Sequence, residues 1–308
     1  MFVRKLCCIV CLCLPTVGTV KAHEFRAHAK PPPTVGDLID PSDFDQLVMN
    51  SPDDGTRWVL SRTLLWKPGS TLNACFLNGS DSSRSTVMND ARYIVEAPSH
   101  PINLKIGFSD GAGTNCKAVS GAYKEDLRIS FTDGCCSAYV GRTSHNSAVE
   151  KAANVFLQEG LDDVTIKHEL LHALGFQHEH QRPDSPCNFN YSVIEAAYGW
   201  SEAEVINNFK RLDKNSSRLA TSPGFDKDSI MKYYFEESFL KEGTGSPCYE
   251  PRATDLSLGD WQGLQTAYPM NFDVAQFKAT VQSKRASINL GANPSPALTE
   301  ALASLPLD

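Results

Sequence analysis

The stretch "HELLHALGFQHEHQRPD", residues 168 to 184, gathers four of the chain's eight histidines and two glutamates. His168 and His172 stand four apart, so on a helix their rings project from one face, one turn above the other. Two imidazoles so placed share a metal ion. Gly175 follows where a helix ends in a left-handed residue, and the chain leaving that turn brings His178 to the same ion from another direction. Three nitrogen ligands leave a fourth position open, the arrangement of a catalytic zinc rather than a structural one. Glu169 stands beside the metal and not on it, placed to take a proton from zinc-bound water, whose pKa the ion lowers to about 7, and to pass it to a departing amine. Five fixed positions in H-E-x-x-H-x-x-G-x-x-H match by chance on the order of once in 10⁵ chains of this length. His180, two positions past the third ligand, has no required place in the set and reads as a neighbour or surface residue.

The elements that must hold these groups are legible around them. Asp162 or Asp163 caps a helix whose Val164, Ile166, Leu170, Leu171 and Leu174 form a wide buried face. Upstream, "SRSTVMNDARYIVEA" has helical spacing, while "NLKIGF", "LRISF" and the short "SAYV" read as strands. Downstream come "SEAEVINNFKRL", with Ser201 and Glu204 as a capping box, then "SLGDWQGLQTAY". Beyond Pro269, "DVAQFKATVQ" has one more amphipathic turn or two, and the tail after it reads as loose. Strands first and helices later imply an α+β domain from about Trp58 to Pro269.

Residues 1–22 carry Arg4 and Lys5, an apolar run to Leu14, and small residues before a cut after Ala22, the pattern of a secretory signal. A membrane anchor needs roughly 20 apolar residues, and Pro15, Gly18 and Lys21 interrupt the run. Residues 23–57 are rich in proline and charge and read as a pro-segment or linker, 58–270 as the folded domain, and 271–308 as a partly disordered extension. Cys75, Cys116, Cys135, Cys136, Cys187 and Cys248 remain after the signal, an even set that favours disulfides in an exported chain. Cys135 and Cys136 are adjacent and poorly placed to bond each other; Cys187 with Cys248, and Cys116 with one of that pair, are the pairings expected. Sequons at Asn78, Asn190 and Asn215 fit glycosylated surface loops. The formal charge of −7 becomes about −10 once Arg4, Lys5 and Lys21 leave with the signal, which disfavours nucleic acid or an anionic membrane as partner of the mature form.

The histidine segment resembles the long motif of the metzincin zinc endopeptidases. Within them the chain resembles the astacin family of peptidases, which continues with Glu after the third His, as Glu179 does here. "FDKDSIMKYY" is similar to that family's Met-turn, with Ser229, Met231 and Tyr233 in register, and "GCCSAYVGR" to the strand bordering its cleft. The resemblance implies a two-lobed domain, a twisted N-terminal sheet with helices above and a helical or irregular C-terminal lobe below, and one Zn²⁺ at the floor of the cleft. It also implies Met231 as an apolar base under the metal, Tyr233 as a displaceable ligand that assists at the oxyanion, and a peptide or protein substrate lying along Ser137 to Val140. Lys232 departs from the family's His at that place, and the cleft strand carries one residue more than the family's. Asp37, in "TVGDLID", partly matches the family's inhibitory aspartate but lacks its Phe. In animal members the freed N-terminus pairs with the Glu after the third ligand, the place of Glu179.

The sequence thus describes a secreted zinc-dependent endopeptidase, with His168, His172 and His178 on the metal, Glu169 as general base and Tyr233 assisting. The alternative is an exported zinc protein that binds peptides without turnover, in which Glu169 has no task. A disulfide-built adhesion protein leaves the histidine spacing unexplained.

Overall fold

The computed structural model describes residues 58–108, 115–132, 136–145, 151–213, 219–222 and 224–272. Residues 1–57 with Asp37, Cys135, Asn215 and residues 273–308 lie outside the described residues, and with them the expected signal, pro-segment and C-terminal extension. The domain begins with β1 (Val59–Ser61), β2 (Thr71–Phe76), α1 (Asp81–Val95), β3 (Lys105–Phe108) and β4 (Leu127–Phe131). It continues through β5 (Ser137–Ala138), β6 (Val155–Leu157), α2 (Asp163–Ala173), α3 (Tyr191–Tyr198), α4 (Glu202–Phe209), β7 (Leu219–Thr221) and α5 (Leu258–Ala267). The architecture is α+β, as the order of elements implied.

Five strands form one sheet in the order β3-β2-β4-β6-β5, parallel except for β5, which runs antiparallel to β6 at the edge. Every residue of β4 is buried, as befits a parallel strand covered on both faces. "SAYV" contributes only Ser137 and Ala138 to the ladder. β1 and β7 pair in a separate two-stranded ribbon. Helix α1 starts at Ser80, whose side chain accepts from the Ser83 amide, and buries Val87, Ala91, Ile94 and Val95. The capping box at Ser201 and Glu204 is present at the start of α4.

Two hydrophobic clusters make the two lobes. The larger joins the sheet to α1, α2 and α5 and reaches Met231. The smaller, in the C-terminal half, gathers Phe189, Ile194, Val205, Phe209, Tyr233 and Phe235 around the Cys187–Cys248 disulfide. That bond is the pairing expected from sequence. Cys116 is a correction: it bonds Cys75, not Cys135 or Cys136. The physical reason is register, because Asn115 bridges Phe76 beside the end of β2 and the Cys116 amide donates to the Phe76 carbonyl, bringing the neighbouring sulfurs together. Both described sequon nitrogens already donate within the fold: Asn78 Nδ2 to the Phe131 carbonyl at 2.9 Å and Asn190 Nδ2 to the Ser238 carbonyl at 3.1 Å.

The buried face of α1 carries one carboxylate. Asp90 is 5% exposed, and its Oδ2 has no hydrogen-bond partner. Burial, with repulsion from Asp163 next and attraction to Lys167 opposing, pushes it up to about 7. A raised acid favours the fold below the unfolded value of about 4 and gives up that contribution as pH climbs through about 7. Asp90→Asn should therefore stabilise the protein at pH 8 by about 1–2 kcal/mol, with the advantage gone at pH 4. Urea unfolding at the two pH values checks this, and an equal effect at both would refute it.

Candidate metal centre

Helix α2 is started by Asp162, whose carboxylate accepts from the Thr165 amide at 2.8 Å. It stops in a Schellman turn: Gly175 N donates to the His172 carbonyl and Phe176 N to the Leu171 carbonyl. Gly175 has φ +99°, and a Cβ there would lie 2.5 Å from Leu65 Cδ2, so the residue is required both by conformation and by space. The departing chain is pinned to β1, with Ser61 N donating to the Gly175 carbonyl and Gln177 N to the Val59 carbonyl. This path returns His178 to the helix face.

The three histidines expected as ligands converge. Their ligand atoms lie within 4.8 Å of one another, and the Nε2 atoms of His172 and His178 are 3.0 Å apart. Each ring is held from behind by an oxygen on Nδ1: the Ile230 carbonyl at 2.7 Å for His168, the Phe176 carbonyl at 2.8 Å for His172, and Gln181 Oε1 at 2.9 Å for His178. The Gln181 amide cannot present its nitrogen there, because Nε2 donates to the Asn207 and Lys210 carbonyls. An oxygen acceptor fixes the proton on Nδ1 and leaves the Nε2 lone pair facing inward. Two lone pairs opposed at 3.0 Å repel unless an electrophile lies between them. Burial, then His172, His180 and His168, hold His178 well below the usual imidazole range, which disfavours a proton on that ring. The donor set fits zinc: three neutral imidazoles, each backed by a hydrogen bond.

Glu169, next in sequence to His168, is buried, and its Oε2 has no hydrogen-bond partner. Burial alone pushes it up to about 8, and a divalent cation alongside acts in the opposite sense. Tyr233 stands 4.5 Å from the His178 ring and 6.0 Å from that of His168, centroid to centroid. Burial, then the Glu169 charge, then Tyr198 raise its phenol far above the usual range. Met231 is buried in the larger cluster. His180 is wholly buried rather than on the surface; its Nε2 lies 3.0 Å from the Asn208 carbonyl and its ring stacks on His178 at 4.9 Å, outside the ligand group.

Residues around the cluster hold this arrangement, and one of them, Asp260, was not singled out from the sequence. Asp260, the third residue of α5, accepts from Ser257 N in a capping box and also from Ser229 Oγ at 2.6 Å and Ile230 N at 2.9 Å. It thereby fixes the turn whose carbonyl orients His168; the Ser257-x-x-Asp260 spacing was the signal that could have found it. Glu179 accepts from Arg182 Nη1 and from Asp226 N, each at 2.8 Å. Arg182 also reaches the Ser222 carbonyl, the Gly224 carbonyl and Asp184, so the carboxylate expected to meet a freed N-terminus already has an internal cation. Lys232 is buried, with Nζ donating to the Tyr233 carbonyl at 3.1 Å and lying 5.6 Å from the centre of the Phe235 ring.

Residues 113–265 match the family model described as Astacin, a peptidase family. The chain carries an astacin-like metzincin domain. Zinc metalloproteinase nas-14 of Caenorhabditis elegans is 29% identical over 124 residues, covering 40% of this chain and 22% of that protein. The nas-12 zinc metalloproteinase of the same organism is 36% identical over 101 residues, 33% of this chain and 23% of that one. Meprin A subunit alpha of Mus musculus is 35% identical over 83 residues, 26% of this chain and 10% of that one. The chain thus spans less than a quarter of the length of these curated relatives. A solved structure of myroilysin superposes with TM-score 0.55 and 22% identity, over 69% of this chain and 99% of that one, a likeness of fold. One catalytic zinc is the cofactor of astacin zinc metalloproteases, and the three-histidine cluster of this astacin-like domain is the group that could bind it.

Proposed function

We propose that the chain is a secreted zinc-dependent endopeptidase that hydrolyses peptide bonds in proteins or peptides outside the cell. The observation that carries this reading is the convergence of three imidazoles, each backed at Nδ1 by an oxygen, on a helix whose residue after the first ligand is a buried carboxylate with an unpartnered oxygen. A bound zinc supplies Lewis acidity there, polarising a carbonyl and making water a nucleophile near neutral pH. His168, His172 and His178 hold the ion. Glu169 takes the proton of the attacking water on its free oxygen and gives it to the departing amine. The Tyr233 phenol donates to the oxygen on which charge develops. An extended substrate adds to the edge of the sheet at β5 by main-chain hydrogen bonds. The signal pattern of residues 1–22 and the two disulfides support export.

Correctly processed protein should digest denatured casein or gelatin, a chelator should abolish the digestion, and added zinc should restore it. Stoichiometric zinc with no cleavage of either substrate would overturn the reading in favour of a peptide-binding zinc protein.

A further inference from the structure

Two of the three histidines lean on one short turn. The Ile230 carbonyl backs Nδ1 of His168 at 2.7 Å, and the next carbonyl, that of Met231, accepts at 3.0 Å from the Glu179 amide, directly after His178. Whatever fixes residues 226–231 therefore bears on both imidazoles. The turn also lies where the lobes meet: Phe225 packs against the smaller hydrophobic cluster, whereas Ile230 and Met231 belong to the larger.

Asp226 opens this turn and is buried, with 5% exposure. Each of its polar groups is engaged. Its amide donates to Glu179 Oε1 at 2.8 Å, its carbonyl accepts from the Ser229 amide, and its Oδ1 accepts from the Asp228 amide at 3.1 Å. Its Oδ2 accepts from Ser257 Oγ at 2.7 Å, which carries the contact across to the N-cap of α5. Ser257 Oγ accepts in turn from the Asp260 amide at 3.0 Å. Asp260 leads back to the turn, taking Ser229 Oγ at 2.6 Å and the Ile230 amide at 2.9 Å. The path closes on itself: Glu179, Asp226, Ser257, Asp260, Ile230, Met231 and again Glu179, every step a hydrogen bond or a peptide linkage.

A hydroxyl has one proton, and that of Ser257 goes to Asp226 Oδ2. Alanine at 226 strands that donor and opens the path between the start of the turn and α5. The amide at 226, which any residue but proline supplies, still meets Glu179. Catalytic constellations tolerate roughly 0.5 Å or 10–20° of misplacement, and groups standing behind metal ligands typically govern about 10–100-fold in affinity or activity.

We infer that Asp226 is a positioning residue for the metal centre, joining the supports of the first and third ligands into one closed hydrogen-bonded circuit where the two lobes meet. The inference rests on the zinc endopeptidase reading of the same site. In competition with a chromophoric chelator, Asp226→Ala should bind zinc roughly tenfold more weakly than the parent. Its cobalt-substituted form should show visible d–d bands altered in position or intensity, because those bands report the ligand field. With zinc saturating, kcat on a peptide should fall about tenfold, while KM stays near the parent value because β5 takes no part in the circuit. A lower melting temperature with zinc affinity, cobalt bands and kcat all at parent values overturns the inference and leaves Asp226 a residue of the fold alone. Should Asp226→Ala not fold, Ser257→Ala and Ser257→Thr decide: the first should weaken zinc about tenfold, and the second, which keeps the hydroxyl, should restore parent affinity. Equal zinc affinity in the two overturns it. Tight zinc binding by a parent that cleaves no peptide removes the endopeptidase reading, while chelator competition and the cobalt bands still judge Asp226.

Discussion

Glu169→Gln retains one zinc per chain while kcat on a peptide substrate falls roughly 10³-fold, within the span that a single general acid–base group supplies. The argument is local. The carboxylate belongs to the residue after His168 and is not one of the ligand group, so its loss subtracts nothing from the metal's coordination. Its Oε2 has no hydrogen bond to lose, and the amide is nearly isosteric, so packing is preserved. The substitution also removes a carboxylate that burial pushes up to about 8, so a thermal melt of the metal-free variant should match or exceed the parent's. What disappears is a site that accepts a proton from water and returns it to the amine. KM stays near the parent value because the edge strand and the cleft walls are unchanged. Undiminished turnover would refute the assigned role, and loss of zinc would show that the carboxylate is a ligand.

His178→Ala and His180→Ala separate a ligand from its neighbour two residues away. His178 directs Nε2 at the other two rings, so its removal leaves two nitrogens and weakens zinc by roughly 10²–10³-fold, an even share of the binding free energy of such sites. His180 turns Nε2 to the Asn208 carbonyl, and its Nδ1 is buried without a partner. His180→Ala therefore keeps stoichiometric zinc. It opens a cavity among Phe189, Phe209, Tyr233 and Phe235 and costs about 1–3 kcal/mol of stability, the loss of packing being offset in part by removal of the unpaired nitrogen. Metal analysis of the two purified variants decides between them. Zinc lost on replacing His180 and kept on replacing His178 would reverse the assignment.

How much was legible depended on whether the determinant was local. The His168–His172 spacing, the Asp162 cap and Gly175 all act within one helix and its exit, and each is found as the sequence implied. The Ser201–Glu204 box is local in the same sense. Helix α3 left little trace, since it is only eight residues long and Ile194 is its one buried residue. β1 and β7 are three residues each and pair across some 160 positions, and β6 is equally short, so neither alternation nor length announces them. The Cys75–Cys116 bond follows from a bridge between Phe76 and Asn115 that no cysteine spacing encodes. The oxygens behind His168 and His172 belong to the main chain, which every residue carries, so the side-chain identities of Ile230 and Phe176 say nothing of that duty.

That last property bears on mutational robustness. Two of the three contacts that hold the rings in their tautomer cannot be deleted by any amino-acid exchange, because a carbonyl survives every substitution. Drift at Ile230 or Phe176 disturbs the metal only by rerouting the backbone. Gln181 is different: its amide is the one genetically removable prop, so random mutagenesis screened for weakened zinc retention should return hits there more readily than at the other two props.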